Sequence, residues 1–116
     1  MAMDELLQIL YGTHPKSVRL YPEAEKTINF LREKKSVSRE ELASFLGIDI
    51  STSNGKKHFY TLISPMFNKI LVSERSGKTV LYHLSYDMFR VYIDGIRRKV
   101  KYYLTNNTED TEEEKK

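Results

Sequence analysis

The apolar residues at the start of this chain follow a helical spacing. Leu10 stands four residues after Leu6 and three after Leu7, which predicts a short amphipathic helix over residues 4–11. The period does not continue through residues 13–21, so we expect a connection there. The first helix therefore needs an apolar partner from further along the chain.

The helical spacing returns after Pro22, a residue suited to the first turn of a helix. Ala24, Ile28 and Leu31 recur four and then three residues apart, so they share one face. Residues 36–37 interrupt the pattern, and we expect one or two residues of strand there. This longer helix is the first candidate to carry the core.

A second helix of the core opens on a capping box. Ser38 and Glu41 have the S-x-x-E spacing, in which each side chain satisfies a backbone donor of the other residue. Leu42, with Phe45 and Leu46, gives the apolar face. Gly47, at a natural stop position, ends this helix.

A polar turn over residues 49–55 leads into a two-sided helix over residues 53–68. At about 100° per residue, its apolar side comprises Phe59, Leu62, Ile63 and Met66. The opposite side comprises Lys57, Thr61, Ser64 and Asn68. Pro65 removes a helical donor, so the helix either kinks there or ends at Ser64.

Two β-rich runs follow this helix. Residues 70–74 and Thr79–Leu84 are separated by residues 75–78, which contain a glycine. This order predicts an antiparallel hairpin with a basic tip.

The last helix, over residues 86–104, has a continuous apolar seam. Its members follow the heptad spacing of helices that pack lengthwise on each other: Phe89, Ile93, Ile96, Val100 and Tyr103, with Tyr92 at the edge. We expect this coiled-coil-like helix to pair with the same helix of a second copy. The alternative is that it covers the core of its own chain. Residues 105–116 are polar and charged, which predicts a disordered acidic tail.

Charge is unevenly distributed along the chain. Residues 105–116 hold five acidic side chains and two lysines, which leaves 17 basic and 11 acidic side chains in the other 104 residues. A basic body of this kind favours a polyanionic partner, most often nucleic acid. The alternative is charge that serves solubility alone.

The polar-sided helix and the hairpin tip are the strongest candidates to bind such a partner. No acidic residue lies between Ser51 and Asn68, so nothing on that segment would repel phosphate. DNA's major groove admits one helix, and a hairpin tip can reach the backbone or the minor groove. The candidate DNA-binding residues are Ser53, Asn54, Lys56, Lys57, Tyr60, Thr61, Ser64, Asn68, Arg75 and Lys78.

Catalytic chemistry has little support in the sequence. The chain has no cysteine, and His14, His58 and His83 are scattered over a loop, a helix and a strand. Neither a phosphate-binding glycine loop nor a nucleophile elbow is present. We expect no enzyme, no metal site and no cofactor. The absence of a long apolar run or a signal-peptide pattern indicates a cytoplasmic protein without a membrane partner.

The order LASFLGI, then a polar-faced helix, then ILVSE and TVLYHLS resembles the winged-helix transcription regulators. The layout is similar to the small archaeal and archaeal-virus members, which are MarR/ArsR-like dimers. The resemblance implies an α+β, mainly helical winged helix-turn-helix with a β-hairpin wing and a long C-terminal dimerisation helix. The expected parts are an N-terminal helix and connection (1–21), the winged domain (22–85), the dimerisation helix (86–104) and the tail (105–116).

The function that follows is a dimeric, sequence-specific regulator of transcription that binds double-stranded DNA. Its recognition helix would enter the major groove, and the protein would be associated with the nucleoid. Two alternatives remain open. One is a winged-helix module for protein–protein interaction within a larger transcription or replication assembly. The other is an architectural chromatin protein that coats DNA without sequence preference. No small-molecule effector is assigned.

Overall fold

The computed structural model describes residues 2–105, which form an α+β fold that is 66% helical. This part of the chain has six α-helices and one three-stranded antiparallel sheet. In chain order these are α1 (Met3–Tyr11), α2 (Pro15–Val18), α3 (Tyr21–Lys34), β1 (Val37–Ser38), α4 (Arg39–Leu46), α5 (Ser53–Ile63), β2 (Leu71–Ser76), β3 (Thr79–Leu84) and α6 (Tyr86–Thr105). The predicted tail lies outside the described residues except for Thr105, which ends α6 and does not open the tail.

The predicted connection between α1 and α3 contains a short helix, α2. Pro15 occupies the first position of α2, where its missing N–H costs nothing. His14 caps this short helix, because its Nδ1 accepts a hydrogen bond from the backbone N–H of Lys16 at 3.1 Å. The cap at His14 and the proline at the first position therefore favour one helical turn, although the segment has no apolar periodicity.

The capping box at the start of α4 is confirmed. The Ser38 Oγ accepts a hydrogen bond from the Glu41 N–H at 3.1 Å, and the Ser38 N–H donates to Glu41 Oε1 at 3.1 Å. Gly47 ends the helix with φ +71°, in the left-handed region that favours glycine. Both signals depend on a few neighbouring residues, which is why the sequence predicted them.

Pro65 ends the polar-sided helix and does not kink it. Helix α5 ends at Ile63, and Ser64–Met66 forms a single 3₁₀ turn. Asn68 follows with φ +64°. The prediction that Asn68 lies on the helix was therefore wrong, because the proline cannot donate the hydrogen bond that would carry the helix further.

The sheet has the strand order β1-β3-β2, so the two-residue strand β1 pairs with the far side of the hairpin. The hairpin turn is shorter than predicted. Ser76 pairs with Thr79, which leaves Gly77 and Lys78 as a two-residue loop. Gly77 has φ +63°, as such loops require at their first position. Arg75 therefore lies in β2 and not in the turn.

The buried core is formed by residues of the helices and of the sheet. Helix α5 contributes Phe59, Leu62 and Ile63, each of which is fully buried. Helix α3 contributes Ala24, Ile28 and Leu31, and the sheet contributes residues from all three strands, with Tyr82 at its centre. Because α5 buries one complete face in this core, its other face is held in a fixed orientation.

Helix α6 is the longest helix of the described residues, yet none of its residues is buried. Its first turn is anchored: the Ser85 N–H donates to the Ile70 carbonyl at 2.8 Å, and Ser85 Oγ accepts from the Met88 N–H at 3.1 Å. The described residues extend over 52 × 36 × 28 Å. The helix is therefore fixed at its base, whereas the outer part of its apolar side is exposed.

Burial of Tyr82 predicts that the fold weakens in alkali. Burial, followed by repulsion from Tyr60, raises the pKa of the Tyr82 phenol far above its ordinary value. The folded state thus prefers the neutral phenol. Its contribution is complete below the ordinary pKa of about 10 and is lost as the pH rises above it, by about 1.4 kcal/mol per pH unit.

Urea unfolding between about pH 9 and 11 tests this expectation. Tyr82→Phe should make the free energy of unfolding fall less steeply with pH. Tyr86→Phe is the matched control, because Tyr86 is 76% exposed. Equal slopes in wild type and Tyr82→Phe would contradict the assignment.

Candidate nucleic-acid interface

The turn that introduces α5 is held by its own side chains. Thr52 Oγ1 accepts a hydrogen bond from the Gly55 N–H at 3.0 Å and donates one to the Asp49 carbonyl at 3.0 Å. Asp49 Oδ1 accepts from the Ser51 N–H at 2.9 Å. Thr52, one residue before the predicted start, is thus the N-cap of α5. The long turn is ordered by these contacts.

Gly55 allows the turn to close against the helix. A Cβ at this position would lie 1.8 Å from the carbonyl oxygen of Asp49 and 2.7 Å from its carbonyl carbon. Both atoms belong to the backbone, so they cannot move aside as a flexible side chain would. Only glycine therefore permits this approach, which sets the direction in which α5 leaves the turn.

The predicted polar face of α5 is exposed. Lys57 and Thr61 lie opposite the buried Phe59 and Leu62. The other exposed members of the predicted set on this helix are Ser53, Asn54 and Lys56. Ser64 is also exposed, although it belongs to the 3₁₀ turn after the helix. The helix thus presents hydroxyl, amide and ammonium groups from a rigidly packed element.

Tyr60 is less available than predicted. It is half-buried, and its hydroxyl accepts a hydrogen bond from Arg39 Nη1 at 3.0 Å. This bond is the main reason that the pKa of Arg39 is raised. Tyr60 therefore connects α5 to the start of α4.

Arg39 is a cation that the sequence reasoning missed. Together with Ile50, Lys56 and Tyr60 it lines a cleft of about 170 Å³ beside the N-terminal half of α5. Its Nε is buried and has no hydrogen-bond partner among residues 2–105. The contact between Arg39 and Tyr60 spans 21 residues, so no local pattern could have indicated it.

The flank of α5 next to α3 carries an internal contact. His58 Nε2 lies 2.9 Å from Glu23 Oε1 and 3.2 Å from Glu23 Oε2. This pair joins α5 to the first turn of α3. His58 is thus engaged with its own chain and marks one border of the exposed face.

The strand register places Arg75 on the helix-bearing side of the hairpin. Arg75 pairs with Val80, two residues from Tyr82 of the core, and alternate residues of a strand share a face. Glu74 points to the opposite side of the sheet. Arg75 is exposed, as is Lys78 in the loop. The acidic side chain of β2 is therefore directed away from the side that carries Arg75.

The electrostatics of this surface favour an anion. No acidic residue occurs from Ser51 to Ser73 along the chain. The nearest acid before α5 is Asp49, and hydrogen bonds from Ser51 lower the pKa of its carboxyl group. That carboxylate already accepts bonds within its own turn. The exposed part of α5 is therefore cationic, with neutral hydrogen-bonding groups between the charges.

The residue that follows Asn68 is not part of this surface. Lys69 Nζ donates to the Leu10 carbonyl at 3.0 Å and lies 5.3 Å from the centre of the Tyr92 ring. It therefore connects α1 to the base of α6. Asn68 is exposed beside it but stands beyond the end of the helix.

The predicted dimer surface becomes more exposed to solvent along α6. Phe89 packs partly against the core of its own chain, and Tyr92 and Ile93 are half-buried. Ile96 and Val100 are 38% and 47% exposed, and Tyr103 is 76% exposed. The base of the helix thus covers its own chain, whereas the outer half of the seam faces solvent.

Comparison with known proteins identifies no relative. No protein-family model, no curated protein and no solved structure matches this chain. Within residues 2–105, no group of three or more His, Cys, Asp or Glu side chains could hold a metal ion. In the same range, no helix is both long enough and apolar enough to cross a membrane.

Proposed function

We propose that this protein is a winged-helix, double-stranded-DNA-binding regulator of transcription that acts as a dimer. Helix α5 is the recognition helix and the β2–β3 hairpin is the wing. The order of α3, β1, α4, α5 and the hairpin supports this proposal, as does the pairing of β1 with β3. Association with the nucleoid follows from DNA binding.

The observation that carries the proposal is the exposed face of α5. This face is polar and acid-free, and the opposite face of the same helix is completely buried. A helix that reads DNA needs this combination, because the buried face sets the docking angle and the exposed face contacts the groove. An ordinary surface helix of so charged a chain would be expected to mix acids with its bases.

The side chains divide by chemistry into two roles. Lys56, Lys57, Arg75 and Lys78 are cations, and they would contact phosphates and supply most of the affinity. Ser53, Asn54, Thr61 and Ser64 are neutral hydrogen-bonding groups, and they would reach base edges or the backbone. Tyr60 acts by holding Arg39 at the edge of this surface, where Arg39 Nη2 also lies 3.6 Å from Glu40 Oε1.

A salt titration of DNA binding tests the proposal. Lys57→Ala and Arg75→Ala should each weaken binding to duplex DNA. Each should also reduce the slope of log affinity against log salt by about 0.9, because one phosphate contact is lost. Gel shift or fluorescence anisotropy over a range of salt concentrations gives both quantities.

Lys26→Ala is the matched control, since Lys26 is an exposed lysine on α3. It should leave both affinity and slope unchanged. The assignment of α5 and the hairpin as the DNA-binding surface is wrong if Lys57→Ala and Arg75→Ala bind as wild type does.

The same titration separates the proposal from its rivals. A regulator should bind a promoter fragment more tightly than random duplex. Equal affinity for both would favour an architectural chromatin protein. No binding to either would favour a protein-interaction module, which the exposed apolar groove at the base of α6 also suits.

A further inference from the structure

An apolar groove of about 320 Å³ lies where α6 leaves the body of the protein. Helices α1 and α3, the end of β3 and the first turn of α6 form its walls. Leu6, Leu84, Tyr86 and Phe89 line it, and Ser85 is the one lining residue with an aliphatic hydroxyl. A groove of this composition offers little to a charged ligand and suits apolar side chains.

The groove is continuous with the seam of α6. Phe89 belongs to both, and from there along the seam the apolar residues become steadily more exposed. Val100, Tyr103 and Leu104 are 47%, 76% and 80% exposed. An outer half-helix with so little burial would be only marginally stable alone in water. It is therefore expected to gain stability from a partner.

Charge along α6 decides how two such helices can lie together. Residues 86–95 hold two acidic side chains and one basic one, whereas residues 96–105 hold four basic side chains and no acidic one. A parallel pair would bring the two strongly basic halves side by side, which costs free energy. An antiparallel pair places each basic half beside the slightly acidic half of the other copy.

We propose that two copies pair their α6 helices in antiparallel orientation, so that Tyr103 and Leu104 of each copy fill the groove of the other. This inference rests on the dimer of the proposed function and specifies its geometry. The occupant of the groove is therefore the end of the same helix from a second copy.

The heptad positions fix the register. Tyr86, Ile93 and Val100 share one position of the repeat, and Phe89, Ile96 and Tyr103 share the other. In an antiparallel pair, residues at the first position of one helix face residues at the second position of the other. With a two-fold axis at the middle of the helix, Ile93 then faces Ile96 and Tyr86 faces Tyr103. Leu104 then lies beside Ser85 at the groove. The seam and the groove thus form one self-complementary surface, as a two-fold interface requires.

Disulfide cross-linking tests this geometry directly, since the natural chain has no cysteine. The variants are Tyr86→Cys, Tyr103→Cys and the double variant, each oxidised in dilute solution and run on a non-reducing gel. Both positions are 76% exposed, so neither substitution disturbs the core. We expect the double variant alone to form a covalent dimer.

Each single variant is expected to remain uncross-linked. In the antiparallel register, the two copies of position 103 stand on the order of 25 Å apart at about 1.5 Å per residue, far beyond disulfide reach. Arg98→Cys, on the opposite side of the helix from the seam, controls for random collision. Cross-linking of either single variant would show a parallel pair and overturn the proposal. Failure of the double variant to cross-link would also overturn it.

A hydrophobic dye gives a second readout for the groove. The fluorescence of ANS should rise when Tyr103→Glu is compared with wild type at the same concentration, because the groove loses its occupant. Equal fluorescence would overturn the assignment of Tyr103 to the groove. Neither the cross-linking nor the ANS fluorescence depends on Lys57 or Arg75. A failure of the antiparallel pairing is therefore distinguishable from a failure of DNA binding.

Discussion

Replacing Gly55 by alanine should lower the free energy of unfolding by about 2 kcal/mol, the size expected when an atom is forced into a packed site. The added Cβ would lie 1.8 Å from the Asp49 carbonyl oxygen. The turn must therefore move away from α5. That movement breaks the bonds by which Thr52 caps the helix and joins it to Asp49.

The same change should weaken DNA binding beyond its effect on stability. The turn sets the direction of α5, and a displaced helix no longer presents Lys57 and Thr61 at one angle to the groove. We expect a loss of about tenfold in affinity, equivalent to 1.4 kcal/mol, for protein that remains folded. Urea unfolding and fluorescence anisotropy measure the two effects separately.

Gly95→Ala is the matched control, because it is also a glycine-to-alanine change. Apart from the chain neighbours of Gly95 and the backbone of its own helix, no atom of residues 2–105 lies within 4 Å of a Cβ at this position. Alanine stabilises the interior of a helix by roughly 0.5–1 kcal/mol relative to glycine. The stability of this variant should rise. If both alanine variants changed stability in the same direction, the close approach at Gly55 would not be the cause.

Tyr103→Glu should reduce affinity for a duplex with two half-sites by about 100-fold, although Tyr103 lies at the far end of α6 from the DNA-binding surface. Linking two binding units raises overall affinity by roughly 10²–10⁴ through effective concentration alone. A glutamate in the apolar seam separates the copies, because its charge would have to be buried. Each copy then binds a single half-site.

Sedimentation and fluorescence anisotropy on the same samples measure this coupling. Tyr103→Glu should sediment as a monomer, with an unchanged affinity for a duplex that carries one half-site. Val91→Glu is the matched control, because Val91 is 66% exposed and lies outside the seam on the same helix. A monomeric Tyr103→Glu with wild-type affinity for the double site would mean that the two units bind independently.

Local signals account for the parts of the fold that the sequence predicted well. The capping box of Ser38 and Glu41, the stop at Gly47 and the strand Thr79–Leu84 each depend on residues close together in the chain. The two faces of α5 were also predictable, because a period of 3.6 residues separates Phe59 and Leu62 from Lys57 and Thr61. These features need only the geometry of one element.

The structure differs from the sequence-based prediction where local hydrogen bonding outweighs the hydrophobic pattern. His14 and Pro15 start a helical turn within the predicted connection, although no apolar periodicity indicates a helix there. The proline at position 65 ended α5 early, which removed Asn68 from the predicted surface. The hairpin closed with two loop residues instead of four, since pairing of Ser76 with Thr79 satisfied more backbone groups.

The sequence alone thus determined which helix has a cationic, acid-free face and which helix has a heptad seam, because both follow from periodicity and residue type. Tertiary structure alone decided what surrounds that face. It brought Arg39 to Tyr60, closed the Asp49 turn against Gly55, and turned Arg75 to the helix-bearing side of the hairpin. It also opened the groove at the base of α6. The contact of Arg39 with Tyr60 and the groove join segments that are distant in the chain, and such contacts form only when the core is packed. The Asp49 turn and the placement of Arg75 span only a few residues, but their geometry is fixed by exact backbone positions that residue types alone do not specify.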